Sequence, residues 1–301
     1  MPQTHPSITE FRQSIRGQTA TLPNLYALFP EWKPRLHAEY ERARDEVLNP
    51  WIERWVPNAA SKHKFQKADF SRFAAIMCAD ASFEKLCTVA KAFAWAVFDC
   101  GCLTDDRETI REYREKTLQY FGAVLCGKGE FPDLSGFSEE LQNALLCWDE
   151  VAAHIRHHCS RASRRTAGVY PVIATIPFIY GIDVSKQELA NDLMELLWRH
   201  TSYLVHIQID NLVTVLMLNV GTDYNKAMQL STILVQEVGR GFHEVEDNLQ
   251  GLSDHARNKV SEMFLQGCKN VVMGLTYWSY VGQRYFEASE ISEENEITFV
   301  I

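Results

Sequence analysis

The sequence predicts an all-α protein, a single helical domain in which about ten helices pack into one bundle. Apolar residues recur at three- and four-residue spacing along most of the chain, which is the pattern of helix faces. No stretch shows a convincing strand alternation, and neither a Rossmann nor a P-loop glycine pattern occurs. Connections between the periodic segments are short, and no shift in composition divides the chain. With 46% hydrophobic and 23% charged residues among 301, the chain has material for a large core and little for low-complexity linkers. The expected layout is an N-terminal arm over 1–33, a helical domain over 34–286 and a tail over 287–301.

The elements follow in order. Residues 1–30 hold Pro2, Pro6, Pro23 and Pro30 and lack sustained periodicity, so they are expected to form an arm over the surface or to be partly disordered. Leu36, Tyr40, Ala43, Val47, Trp51, Ile52 and Trp55 mark a helical stripe that Pro57 and Asn58 end. Asp69 is the N-cap expected for a helix through Phe70, Phe73, Met77 and Cys78. A third helix runs from about Phe83 to Cys102 and is apolar almost all round, which suits a central position. Helices are expected over 108–125 and from Glu139 to about Arg161. Pro171, Pro177 and Gly181 kink or split the next apolar segment. Ser185 caps a helix over 186–200. Another covers about 201–219 before Gly221, and long helices over 224–250 and 255–286 complete the set.

A net charge of −9 argues against a nucleic-acid backbone or an anionic membrane surface as partner. The eight cysteines form no C-x-x-C pair and read as buried thiols. Without a signal-type segment or an uninterrupted apolar span, the expected setting is cytoplasmic and reducing. Helical surfaces would allow a homodimer, although no stripe demands one.

Three polar clusters interrupt apolar helices. In the first, Trp95 and Phe98 lead into Asp99, with Asp105 and Asp106 beyond. The second is His206-Ile-Gln208-Ile-Asp210-Asn211-Leu-Val-Thr214, where His206, Asp210 and Thr214 repeat every four residues along one expected face. The third is basic: Arg164-Arg165 at a helix break, and Arg284-Tyr285 near the end of the last helix. Hard oxygen donors on two helices with separated guanidinium groups are what holding a polyphosphate through Mg²⁺ requires. An aromatic-lined cavity beneath them would take an apolar tail. Each cluster also has a plain reading. Asp99 ends a core helix, Asp105-Asp106 starts an ordinary one, and Thr214 satisfies its hydroxyl within a helix. His154, His157 and His158 with Glu150 lack the paired Glu-x-x-His units of a carboxylate-bridged metal bundle and read as a polar face.

The stretch from Gln266 to Phe286, with Trp278-Ser279 and Arg284-Tyr285, resembles the C-terminal signature of microbial class I terpene synthases, especially fungal sesquiterpene cyclases. Arg164-Arg165-Thr166-Ala-Gly168 resembles that family's diphosphate-sensing region, at its usual distance before Asp210. The resemblance covers roughly 34–286. It implies a Mg²⁺-dependent cyclase acting on farnesyl diphosphate, with Asp99, Asp210, Asn211 and Thr214 as metal ligands. Arg164, Arg165, Arg284 and Tyr285 would hold the diphosphate, and Trp95, Phe98 and Trp278 would shape the cavity. A humulene-type hydrocarbon is one product it suggests. The first acidic motif departs from the family, since only Asp99 remains of Asp99-Cys100-Gly101-Cys102-Leu103. Leu218 stands where the second motif ends in a metal ligand. Asp105 or Asp106 could replace the missing acids of the first motif, and His206 or Asn219 could complete the second. A non-catalytic prenyl-ligand or partner-binding protein on the same fold is the alternative. A prenyltransferase, which would need two intact acidic motifs, is a further one.

Overall fold

A computed structural model describes residues 13–101, 106–126, 130–158, 169–182, 191–208, 211–251, 259–283 and 286–300. It is overwhelmingly helical, as the apolar periodicity predicts. The chain divides into two compact units. One comprises 1–34, 167–173 and 184–301, and the other 35–166 and 174–183.

In the second unit, Tyr40–Arg42, a π-helical stretch Ala43–Leu48 and Asn49–Trp55 follow one another without a break. Asn58 then caps Ala59–Ala68 by accepting from the Ser61 amide. That helix is not expected from the sequence, because Lys62, Lys64 and Lys67 dilute its apolar face. Asp69 is the N-cap of Phe70–Met77, as expected. Phe70–Met77 packs on Phe83–Gly101, where Phe73 stacks on Phe93 at 4.6 Å. Trp148–His158 also packs against Phe83–Gly101 and against Arg107–Cys126. The expected single helix from Glu139 is interrupted at Cys147, giving Glu139–Leu146 and Trp148–His158. Ile176–Tyr180 carries Pro177 in its first turn, so the proline-rich segment is split, as expected.

In the first unit, Asp192–Gln208 packs against Tyr224–Gly251 and Lys259–Val281, and Asn211–Val220 packs on Tyr224–Gly251. The boundary expected near residue 200 does not exist, and His200 lies well inside a helix. Thr201 lies within it, its hydroxyl donating to the Leu197 carbonyl at 2.7 Å. Gly221, at φ +68, lets the chain leave Asn211–Val220 in a left-handed conformation.

The terminal segments correct a second expectation. Thr19–Leu22 (β1) pairs antiparallel with Ile297–Val300 (β2), Leu22 opposite Ile297. Each strand has only four residues and finds its partner at the far end of the chain, so neither gives a recognisable alternation. Residues 19–32 of the arm are packed. Ala20, Leu22, Phe29 and Trp32 are buried, and Asn24 caps the 3₁₀ turn Leu25–Leu28. Tyr280 of the last helix accepts from the Leu25 amide at 2.9 Å and donates to the Asn295 carbonyl at 3.0 Å. Its ring stacks on Tyr26 at 4.5 Å. Among the described residues, no helix is long and apolar enough to cross a membrane.

Candidate active site

The helix Phe83–Gly101 begins where the Ser82 hydroxyl accepts from the Lys85 amide at 3.4 Å. Leu86, Val89, Ala90, Phe93, Ala94 and Phe98 are all buried, so apolar burial surrounds most of its length. Each large side chain contributes roughly 1.5–3 kcal/mol on burial. Asp99 therefore belongs to the final turns of a helix held by packing on several sides. Phe98 is buried and meets Phe65 edge-on at 6.1 Å. Trp95 is buried among Trp148 at 4.4 Å and Phe121 at 5.4 Å, and its indole donates to the Ala144 carbonyl at 2.6 Å.

Asp106 caps Arg107–Cys126. Its carboxylate accepts from the Thr109 amide at 3.1 Å, from the Glu108 amide at 3.4 Å and from the Thr109 hydroxyl. These bonds, the Thr109 hydroxyl foremost, hold its carboxyl below the usual range. The group is exposed and engaged with the start of its own helix. Asp105 lies outside the described residues.

In the second cluster, Ile209 and Asp210 lie outside the described residues. His206 belongs to Asp192–Gln208, and Asn211 and Thr214 belong to Asn211–Val220. Thr214 is exposed. Asn219 is exposed and donates its side-chain amide to the Val215 carbonyl at 2.8 Å. Leu218 is partly buried against the cluster of Ala20, Met217, Tyr224 and Ile297.

Trp278 is buried in Lys259–Val281, and Trp198 stacks on Phe264 of that helix at 5.7 Å. Tyr203 is 49% exposed, so its ring is not core. Asp210, Arg164, Arg165, Arg284 and Tyr285 lie outside the described residues. Among the described residues, no group of three or more His, Cys, Asp or Glu side chains is placed to hold a metal. The four expected ligands Asp99, Asp210, Asn211 and Thr214 all offer oxygen donors, and Thr214 is open to solvent, so their chemistry suits a hard divalent cation.

One charged centre beside the candidate helix is not evident from the sequence. Glu150 binds Lys91 at 2.6 Å, Arg54 at 3.0 Å and the Trp55 indole N–H at 3.0 Å. Burial pushes the Glu150 carboxyl up, but Lys91, Trp55 and Arg54 together bring it below the ordinary value. His154 places Nδ1 3.0 Å from the Glu150 carbonyl and Nε2 3.3 Å from Glu84. Glu150 and His154 stand at helical spacing in the sequence, whereas Lys91 is far away along the chain.

No protein-family model matches the chain. It is 23% identical to an inactive (1R,4R,5S)-(−)-guaia-6,10(14)-diene synthase of Gibberella fujikuroi, over 95% of this chain and 85% of that relative. A (1R,4R,5S)-(−)-guaia-6,10(14)-diene synthase of Fusarium proliferatum is also 23% identical, with the same coverage. The solved structure of a linalool/nerolidol synthase from Streptomyces clavuligerus aligns with a TM-score of 0.62 at 15% identity, over 82% of this chain and 98% of that one. That likeness establishes the fold.

Proposed function

We propose that this chain, a fungal-type member of the class I terpene synthases, is a sesquiterpene cyclase that ionises farnesyl diphosphate and closes the resulting cation to a hydrocarbon. The observation that carries this reading is the extent of the sequence likeness, which covers 95% of the chain in relatives named as diene synthases. It is supported by the chain's own oxygen donors and arginines, which suit a metal-bound diphosphate.

In this reading Asp99, Asp210, Asn211 and Thr214 hold Mg²⁺. When bound, the cation neutralises charge on the departing diphosphate. Arg164, Arg165 and Arg284 bind the remaining anionic oxygens with their guanidinium forks, and the Tyr285 hydroxyl donates to the same group. Phe98 and Trp278 present ring faces that favour cationic carbon and keep water from it. The small-molecule partner in this reading is a prenyl diphosphate.

A second reading keeps the fold without the chemistry, as a protein that binds a prenyl ligand or a partner. The observation favouring it is Leu218, which stands at the last ligand position of the second motif and packs against apolar neighbours. Of two relatives at equal identity, one is named as an inactive synthase. Incubating purified protein with Mg²⁺ and farnesyl diphosphate, then analysing the volatile extract, separates the readings. A cyclic hydrocarbon supports the cyclase, untouched substrate the binding protein, and a longer diphosphate a prenyltransferase.

A further inference from the structure

Lys91, Trp95 and Asp99 follow one another at four-residue intervals on Phe83–Gly101, a stripe that drifts by only about 40° per step. The first two positions are fixed from outside the helix. Lys91 Nζ lies 2.6 Å from Glu150 of Trp148–His158. The Trp95 indole N–H donates to the Ala144 carbonyl of Glu139–Leu146 at 2.6 Å, and its ring meets Trp148 at 4.4 Å and Phe121 at 5.4 Å. The Phe121 and Trp148 rings are themselves 5.1 Å apart, so the three form one cluster.

A helix held at one point can roll about it or slide. Two polar contacts one turn apart, made to two different helices, set both its rotation and its axial position. The next position along the stripe is Asp99. We propose that Trp95 is a positioning residue for Asp99, fixing the orientation of the turn that carries this carboxylate, and not a wall of the substrate cavity. Apolar volume alone would be met by Phe or Leu. The directed N–H is what Trp adds, and it is spent on the Ala144 carbonyl. The inference rests on the reading of Asp99 as a metal ligand, and it replaces the cavity role that the resemblance implies for Trp95.

The test is Trp95→Phe, which keeps an aromatic ring and removes the donor. In the folded variant, the Mg²⁺ concentration giving the half-maximal rise in melting temperature with inorganic pyrophosphate and that giving half-maximal turnover are both expected to rise about tenfold and kcat to fall, since small displacements of a reacting group cost up to about 100-fold. The ratio of products should stay that of the parent. Glu150→Gln, which weakens the Lys91 anchor, should move the Mg²⁺ requirement in the same direction and serves if Trp95→Phe does not fold. A changed product ratio at an unchanged Mg²⁺ requirement would make Trp95 a cavity residue and overturn the proposal. Activity falling only in proportion to the folded fraction would leave it a purely structural role and also overturn it. If the parent shows no Mg²⁺-dependent turnover, the cyclase reading fails and takes this inference with it. A Mg²⁺-dependent parent whose variants keep its constants removes this inference alone.

Discussion

His200 occupies the space beside Gly241 that any other residue would need, since a Cβ on Gly241 would lie 2.6 Å from Cε1 of the imidazole. This contact joins Asp192–Gln208 to Tyr224–Gly251 in the first unit. Gly241→Ala should therefore cost about 1–3 kcal/mol through overpacking. Adding His200→Ala to it should recover part of that loss. Urea unfolding of the two single variants and the double variant measures the coupling, and simple additivity would show that the contact is not tight.

The same imidazole makes stability depend on pH. Burial is the foremost cause holding the His200 pKa below its usual 6.5, with Arg199 acting the same way. A group depressed in the folded state contributes stability that is present above the unfolded pKa and is lost as pH falls through the folded one. Between pH 7 and pH 5, His200→Gln should lose less stability than the parent. Melting temperatures across that interval check it, and parallel curves would remove His200 from the acid response.

Asp69 sits at φ +50 between Ala59–Ala68 and Phe70–Met77, accepting from the Arg72 amide at 3.2 Å and from the buried Tyr40 hydroxyl. Asp69→Ala removes the cap, leaves that hydroxyl short of an acceptor and places alanine in left-handed backbone. The expected loss is about 2–4 kcal/mol. Asp69→Asn tolerates the backbone and can still cap, so it should cost clearly less in the same denaturation experiment.

Tyr280 ties the arm to the tail through Leu25 and Asn295. Tyr280→Phe should leave the helical circular dichroism spectrum intact while speeding trypsin cleavage after Arg16, which is exposed in the arm. Equal cleavage rates would mean that the strand pairing alone secures the arm.

These sites show where the sequence is informative. The cap at Asp69 and the central helix from Phe83 are legible because local chemistry decides them. Asp69 binds its own helix start, and apolar residues surround Leu86 to Phe98. The β1–β2 pair is not legible, because four residues at each end of the chain reveal nothing until folding joins them. The Glu150 centre was hidden for a similar reason, since Arg54, Trp55 and Lys91 converge on it from distant segments. At the candidate site, Asp99 stood out at the end of an aromatic run. The N-cap role of Asp106 and the directed N–H of Trp95 depend on helix boundaries and neighbours that residue spacing does not report.

Metal and anion should act together if the oxygen donors and arginines form one diphosphate site. Mg²⁺ with inorganic pyrophosphate is expected to raise the melting temperature by more than the two separate increments combined, because each ligand strengthens binding of the other to the folded state. Additive shifts would argue against a shared site.

The most direct measurement is pyrophosphate release from farnesyl diphosphate by the purified protein with Mg²⁺, run beside Asp99→Ala and Asp210→Ala. Mg²⁺-dependent release by the parent, with a cyclic hydrocarbon in the extract and loss of turnover in both folded variants, is the expected result. Intact farnesyl diphosphate after incubation with the parent would contradict the cyclase assignment, and full turnover in either variant would contradict that residue as a metal ligand.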